Sequence, residues 1–431
     1  TIVVGSGPGG SVAALRLIEN NEDVLIIESG GAYDPETIAH HSLAQTNLQF
    51  YKQGMNFCYG NVPMLFAEGS TYGGGSEVNS GLYFKLTEPY KSIFLEKANI
   101  TVDEWNYVEK KVEKMISVQH APPGSFDNLE SALIDGSNNF DLICEEIPRW
   151  REYNPAEEHK SMQASYLKLA EKDGLSVITQ TEVMKIKPER EFINILAKKD
   201  NKVLNFRSKK IVLSAGTIGT PKILKNSGLI SNSINFNFHP MTRCVVDYGK
   251  KINHGDLFPP YQAWTKDYKF KFGYSVSTYP FVKATLASLG KYDEIPEPSR
   301  LVSYFSSTVL DNSYGRLFSF RGKLVPFTYI SRKDKRKIKE GFEILKKLLR
   351  STSVKKVWPH KGLSPMTTVH IFGSLPIGKN KNLGANGELL KDSRIKISDA
   401  SILPTAPWGN PQAVMMVLNE ILIDRWIKQI K

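Results

Sequence analysis

Three glycines, Gly5, Gly7 and Gly10, fall in the spacing G-x-G-x-x-G near the start of this 431-residue sequence, and Glu28 follows 18 residues after the last of them. In that spacing the first glycine permits a tight turn, the second lets bare backbone approach a pyrophosphate, and the third lets a helix pack on a strand. The following helix turns free N–H groups and a positive dipole end toward the phosphates. A carboxylate at Glu28, with Ser29 beside it, can accept hydrogen bonds from ribose hydroxyls. The chemistry implied is dinucleotide binding, and the pattern alone does not choose between FAD and NAD.

The elements that hold these residues are legible around them. Ile2–Val4 reads as a short buried strand, and the helix after the glycines buries Val12, Ala13, Leu15, Leu17 and Ile18. Residues 24–27 read as a second strand ending at Glu28. Strand, turn, helix, strand and acid open a βαβ unit with a parallel sheet. Residues 176–179, 182–186 and 210–214 read as further strands. A helix is expected over 161–171, another opening near Pro221, and a terminal one over 411–429. Between 243 and 326 the aromatic residues Tyr261, Trp264, Tyr268, Phe270, Phe272, Tyr274, Tyr279, Phe281, Tyr304 and Phe305 alternate in part with polar ones. That pattern predicts a half-covered antiparallel sheet. Residues 89–147 read as mixed helix and loop.

Composition narrows the field. A formal net charge of +12 favours acidic partners. The densest basic stretch, 332–347, carries Ile338, Phe342, Leu345 and Leu349 at helical spacing and reads as an amphipathic helix with a solvated basic face. Nothing resembles a recognition helix or a base-stacking platform, so nucleic acid is not expected. No apolar run reaches the 18 residues of a membrane-spanning helix. Cys58, Cys144 and Cys244 are too few and too scattered for a disulfide framework or a metal site, so no metal is expected. A cytoplasmic location is expected, although the sequence opens at Thr1 without Met and any upstream signal lies outside it.

Three more segments carry a resemblance. They are the loop Gly69-Ser-Thr-Tyr-Gly-Gly74-Gly75-Ser76-Glu-Val78-Asn79-Ser-Gly81, the run Val212-Leu-Ser-Ala215-Gly216-Thr217 with Pro221 after it, and the C-terminal set His370, Gly373-Ser374, Asp399-Ala400 and Asn410-Pro411. With the N-terminal glycines, and in this order, they resemble the glucose–methanol–choline (GMC) oxidoreductase family. His239-Pro240 also resembles a turn of that family. The likeness fades over about 90–150 and 245–360. Gly373-Ser374 stands where the family often has Gly-Thr.

The resemblance implies an α/β fold: an FAD-binding Rossmann-like domain over 1–90, 150–242 and 365–431, and a β-rich substrate-binding domain over 91–149 and 243–364. It implies FAD held by Gly74, Gly75, Ser76, Asn79, Val183, Ala215, Gly216, Asp399, Ala400, Asn410 and Pro411, besides the N-terminal motif. Val78 stands where some members tether flavin to a histidine, so non-covalent FAD is expected. His370 and Asn410 match the family's catalytic pair. A neutral imidazole suits removal of a hydroxyl proton, and an Asn amide can orient the same oxygen. Asn410-Pro411 also suits a helix start, whose positive end would favour charge on a reduced flavin. The other histidines, His40, His41, His120, His159, His254 and His360, fit no constellation.

The function so implied is hydride removal from the CH–OH group of an alcohol or saccharide, anionic or carrier-linked substrates included. The electron acceptor is left open among oxygen, a quinone and a protein. Two other readings stay open: a lyase or decarboxylase on the same flavin fold, and an NAD-binding protein of another class.

Overall fold

The protein is described from a computed structural model, which covers all residues except 36, 41, 123–128, 154–157, 231–233, 253–260, 276–281, 283–284, 288, 291–297, 321–322 and 431. Tyr279, Phe281, His41 and His254 lie outside the described residues.

Short runs of Val, Ile and Leu form a parallel sheet because both of its faces are covered. Its order is Glu388–Leu389, Asp392–Ile397, Ile211–Leu213, Ile2–Val4, Leu25–Ile27 and Ser176–Ile178, parallel except for the first strand. Ile2 is in register with both Ile211 and Leu25. Val3, Ile26, Val212 and Ile395 are fully buried. The helices Pro8–Glu19 and Pro411–Ile430 pack on each other above this sheet. They are tied by the buried pair Arg16 Nε–Glu420 Oε2 at 2.6 Å, and Tyr166 donates to the other oxygen of Glu420 at 2.8 Å.

A second, 13-stranded sheet draws strands from Asn56–Gly60 to Ile371–Phe372. Its stretch Met241–Asp247, Leu301–Ser307, Lys271–Ser275 and Tyr261–Trp264 is antiparallel. This stretch is not half-covered as expected, since every residue of Leu301–Ser307 is buried, whereas the hairpin Tyr314–Phe320 and Lys323–Tyr329 of the same sheet buries Leu317 and exposes Tyr314, Phe318, Phe327 and Tyr329. The helix Arg332–Arg350 packs Phe342 and Leu345 against Phe272 and Tyr304 on one face. The other face, with Phe305, turns toward a cavity.

Two helix starts differ from expectation for visible reasons. Gly216–Asn226 begins five residues before Pro221. Pro221 has no N–H for the carbonyl of Thr217, and the Ser374 hydroxyl donates to that carbonyl instead, at 2.7 Å. Tyr166–Lys172 begins later than 161 because the amides of Met162 and Gln163 donate to Ser76 Oγ and Glu77 Oε1, at 3.0 and 3.2 Å. Within 89–147, Tyr90–Ala98 and Val102–Met115 pack Phe94, Trp105 and Val112 into the core of the parallel sheet. No helix among the described residues is long and apolar enough to cross a membrane, and the three cysteines are free.

Candidate active site

The N-terminal glycines sit at the carboxyl ends of the parallel strands, where α/β sheets bind ligands. Gly5 turns at φ +93°, and a Cβ there would lie 2.4 Å from the Ser214 carbonyl oxygen. Gly10 has no room either: its Cβ would come within 2.0 Å of Gly5 O, which fixes it as the helix–strand contact. Gly9, which the sequence pattern does not require, meets Ser398 O at 1.9 Å in the same way. Gly7 differs. A Cβ there would meet only Gly74 Cα, at 3.9 Å, so two bare backbones face each other across a slot.

Glu28 is buried and locks this loop. One carboxylate oxygen accepts from the amide and hydroxyl of Ser6, at 2.8 and 2.7 Å, and the other from the amide of Gly30 at 2.8 Å and the hydroxyl of Ser29 at 3.2 Å. Ser6 Oγ in turn accepts from the amide of Gly73, at 3.0 Å. The two glycine loops are therefore braced through one serine.

A single cavity of about 830 Å³ runs from these loops into the β-rich layer. Gly5, Gly7, Glu28, Ser29, Gly74, Gly75 and Asn79 line its first part. Val183, Ala215, Gly216, Asp399 and Ala400 line it further on, and His370, Asn410 and Pro411 stand on the same wall system. Gly10 and Ser76 are behind the lining. Ser76 binds Gly73 O and the amide of Met162, so it shapes the loop. Asn79 does likewise, donating to Gln412 Oε1 and accepting from the amide of Gly81, at 2.8 and 2.9 Å. Asp399 accepts from Gly216 N, Thr220 Oγ1 and Ser401 N, and burial holds its carboxyl above the usual range.

The cavity fits a flavin nucleotide where substitution would fill it. Cβ atoms built on Gly75 and Gly216 would meet no atom of the described residues within 4 Å, and both residues line the cavity, Gly216 at a φ of +80° that also favours glycine. These are positions where a side chain would take ligand space rather than protein space. A register shift between Val183 and Lys185 also frees edge backbone beside the lining.

His370 is placed by strand pairing. Asn237 pairs with Phe372 and Phe238 with Ile371, so His239 and His370 are the next pair along. Their Nδ1 atoms are 3.2 Å apart and the rings cross at 88°. Burial, then His239, then Lys271 hold His370 well below its ordinary 6.5. Burial brings His239 to about 3, with Lys271 adding to it. The Pro407 carbonyl favours a proton on His239 without full hydrogen-bond geometry. Of two neutral rings in this contact one donates and one accepts, and where His370 Nδ1 is the donor its Nε2 keeps a lone pair.

Asn410 immediately precedes the terminal helix, as the sequence predicts. Its Oδ1 lies 3.4 Å from Lys271 Nζ. Neither Lys271 nor His239 was singled out as a chemical group in the sequence. A third unforeseen group is Glu68, on the cavity wall before the glycine loop. Its carboxyl is pushed up to about 7 by burial, with Asp399 adding to the effect. At the far end Arg243, Tyr261, Gln262 and Phe305 line the cavity. Gln262 is 2% exposed and its Oε1 has no hydrogen-bond partner among the described residues. Among the described residues no cluster of three or more His, Cys, Asp or Glu could hold a metal.

A family model described as GMC oxidoreductase matches residues 2–241. An uncharacterized GMC-type oxidoreductase of Sinorhizobium fredii is 22% identical over 475 residues, covering 97% of this chain and 92% of that protein. A long-chain-alcohol oxidase of Arabidopsis thaliana is also 22% identical, over 504 residues, covering 96% of this chain and 66% of the plant protein. Among solved structures, pyridoxine 4-oxidase from Mesorbium loti superposes with a TM-score of 0.78 at 16% identity, covering 99% of both chains. Formate oxidase gives 0.78 at 15% identity, covering 99% of this chain and 98% of the other. These two likenesses establish the α/β two-domain fold.

Proposed function

The chain belongs to the GMC oxidoreductase family, and from that premise we propose that it oxidises the CH–OH group of an alcohol or saccharide, with His370 as base and Asn410 orienting the substrate oxygen. The family is FAD-dependent, and FAD, when bound, supplies the hydride acceptor. One observation carries the reading: His370 and Asn410 open onto the same cavity as Gly7 and Gly74. A substrate between the pair and the glycine slot meets a neutral imidazole able to take the hydroxyl proton. The amide of Asn410 donates to the same oxygen. The first turn of the terminal helix, at Pro411 and Gln412, adds a positive dipole end to the wall.

Gly7, Gly74, Gly75 and Gly216 would hold the nucleotide through backbone. Glu28 and Asp399 brace the loops and present their remaining lone pairs. Val78 offers no nucleophile for a tether, so the flavin in this reading is non-covalent. The division into an FAD unit and a substrate unit belongs to the same proposal, with Tyr90–Ala98 and Val102–Met115 counted in the first because they pack in its core. So does a cytoplasmic location.

The Gln262 oxygen, without a partner among the described residues, favours a substrate with a second hydroxyl over a bare hydrocarbon. Arg243, on the same cavity wall, carries charge complementary to an anionic group. The long-chain-alcohol oxidase relative supports a second substrate reading, an aliphatic alcohol laid along Leu65, Met241 and Phe305. The test is an anaerobic panel of alcohols and sugars added to flavin-loaded protein, read as loss of flavin absorbance. Bleaching by a member of the panel supports oxidation. Bound flavin that no member bleaches returns the choice to a lyase or decarboxylase, and protein that stays colourless with FAD ends the reading. Repeating hits in air and with a quinone identifies the acceptor.

A further inference from the structure

Lys271 is a lysine in the wrong solvent. It is 3% exposed, and no carboxylate among the described residues lies within ion-pair distance. The sheet register explains how it got there. Met241 pairs with Ser307, Ser307 with Lys271, and Lys271 with Trp264, so these four share one face of the sheet. Two residues further along each strand, Arg243, Phe305, Gly273 and Gln262 form the next row on that face, and all but the glycine line the cavity. Lys271 thus projects on the cavity side, toward the segment that carries Asn410.

Its ammonium has three contacts. Asn410 Oδ1 is 3.4 Å away, the Phe84 ring centroid 4.4 Å and the Trp408 ring centroid 5.5 Å. Ring faces stabilise a desolvated cation but offer no lone pair for its N–H groups. The amide oxygen is the acceptor. An ammonium only donates, so the atom of Asn410 that faces it is oxygen, whichever way the amide would otherwise turn.

We propose that Lys271 is a positioning residue for the reaction: it holds the oxygen of Asn410 and turns the amide N–H groups into the cavity. This rests on the function proposed above. An Asn side chain has an acceptor end and a donor end, and only the donor end can orient a substrate hydroxyl that is losing its proton. Lys271 makes that choice before substrate arrives. A nearby cation also disfavours a protonated imidazole, so the His370 ring stays unprotonated to lower pH. Among the described residues the ionisable groups acting on His370 are His239 and Lys271, and no carboxylate there opposes them. Burial brings Lys271 itself down to about 7. The charge is therefore present below that pH and lost above it.

Three flavin-loaded variants test this with the fastest-reducing member of a panel of ethanol, octan-1-ol, glycerol and glucose. Lys271→Met keeps length and apolar packing but removes donor and charge. Its limiting rate of flavin reduction should fall roughly 10- to 100-fold, the scale of a misoriented reacting group, and its acid limb should move to higher pH. Lys271→Arg keeps both donor and charge. It should recover most of the rate and move the alkaline limb upward, because a guanidinium does not titrate there. His370→Ala separates the two readings: if it reduces at the wild-type rate, the proposed function fails first. If His370→Ala is slow while Lys271→Met matches wild type in rate and acid limb, the positioning role alone is overturned. A crystal structure of the Lys271→Met holoprotein gives an answer independent of substrate. The Asn410 amide should be turned or displaced, and an unmoved amide overturns the proposal.

Discussion

His239 and His370 meet nitrogen to nitrogen, Nδ1 to Nδ1 at 3.2 Å, because the antiparallel register of Phe238 with Ile371 continues into the turn on either side. Two neutral imidazoles in that contact must divide roles, one donating and one accepting. His239 therefore fixes the tautomer of His370 without facing the substrate. Replacing His239 with Ala frees the His370 ring to rotate and to carry its proton on either nitrogen. The expected result is retained FAD absorbance with flavin reduction slowed roughly 10- to 100-fold, a scale set by misplacement of a reacting group. Stopped-flow reduction under anaerobic conditions measures it, and an unchanged rate removes His239 from the tautomer argument.

His370 itself should cost more. Loss of a general base lowers turnover by about 10²- to 10⁴-fold, and His370→Ala with FAD still bound is expected in that range. The pH dependence has a definite sign. Burial and two nearby basic groups lower the affinity of His370 for a proton. The unprotonated, competent ring thus persists below the ordinary 6.5 of a free histidine. The rate of flavin reduction should hold on the acid side past that value and fall only at lower pH. An acid limb centred at or above 6.5 would mean that some other group is the base.

The glycines divide into those that make room for protein and those that make room for ligand, and substitution tells them apart. Gly10→Ala drives a Cβ to within 2.0 Å of Gly5 O. Overpacking of this kind costs typically 1–3 kcal/mol, so about that loss should appear in urea unfolding of the flavin-free protein. Gly75→Ala meets no protein atom within 4 Å but projects into the cavity. It should unfold like the parent and lose FAD readily on dialysis. The two assays exchanging their outcomes would show that the cavity has been assigned to the wrong ligand end.

Much of this architecture was readable because its signals are local. Apolar strands, the glycine turn and the acid at Glu28 lie within 28 residues, and the parallel sheet follows from them. Asn410-Pro411 marks its own helix start. The residues that were not legible act across the chain. His239 is defined by a strand pairing 131 residues away, and Lys271 by a side-chain hydrogen bond to a residue 139 positions away. Nothing in the sequence near Lys271 distinguishes a buried lysine from the solvated ones that dominate this basic chain. The amphipathic helix shows the same limit. Arg332–Arg350 forms as expected, yet Lys346 on it is buried at 1% exposure, bonded to Gly362 O and paired with Glu343. Alternation of aromatic and polar residues marks the half-covered hairpin of Tyr314–Phe320 and Lys323–Tyr329 but not the strand Leu301–Ser307, whose serines are buried.

Flavin attachment gives a simple check. Val78 and its neighbours in the glycine loop include no histidine, and none of the three cysteines lines the cavity. Acid or heat precipitation should therefore leave the yellow colour in the supernatant, with the mass of the pelleted protein equal to that of the bare chain. Flavin that stays with the pellet would require a tether through another cavity residue.

The last prediction concerns what holds the cofactor unit together. Arg16 and Glu420 stand on helices 404 residues apart in sequence, both nearly inaccessible, with Nε to Oε2 at 2.6 Å and Nη2 to Oε1 at 3.2 Å. Burial raises the Glu420 carboxyl, while Arg16 and the Tyr166 hydroxyl pull it back. A buried pair of this kind gains little over apolar packing, but removing one member leaves an uncompensated charge, which costs about 3–5 kcal/mol. Glu420→Ala should lose stability on that scale and leave Tyr166 without its acceptor. The Arg16→Met, Glu420→Leu double variant, which buries no charge, should recover most of the loss. Urea unfolding of the parent, the single variant and the double variant decides it. If the single variant loses no more than a surface substitution does, about 0.5 kcal/mol, then water or Glu19, which also pairs with Arg16, is carrying the charge instead. Because the first helix presents Gly7 and the last presents Asn410, a loosened Arg16–Glu420 contact should also weaken FAD retention at temperatures below global unfolding.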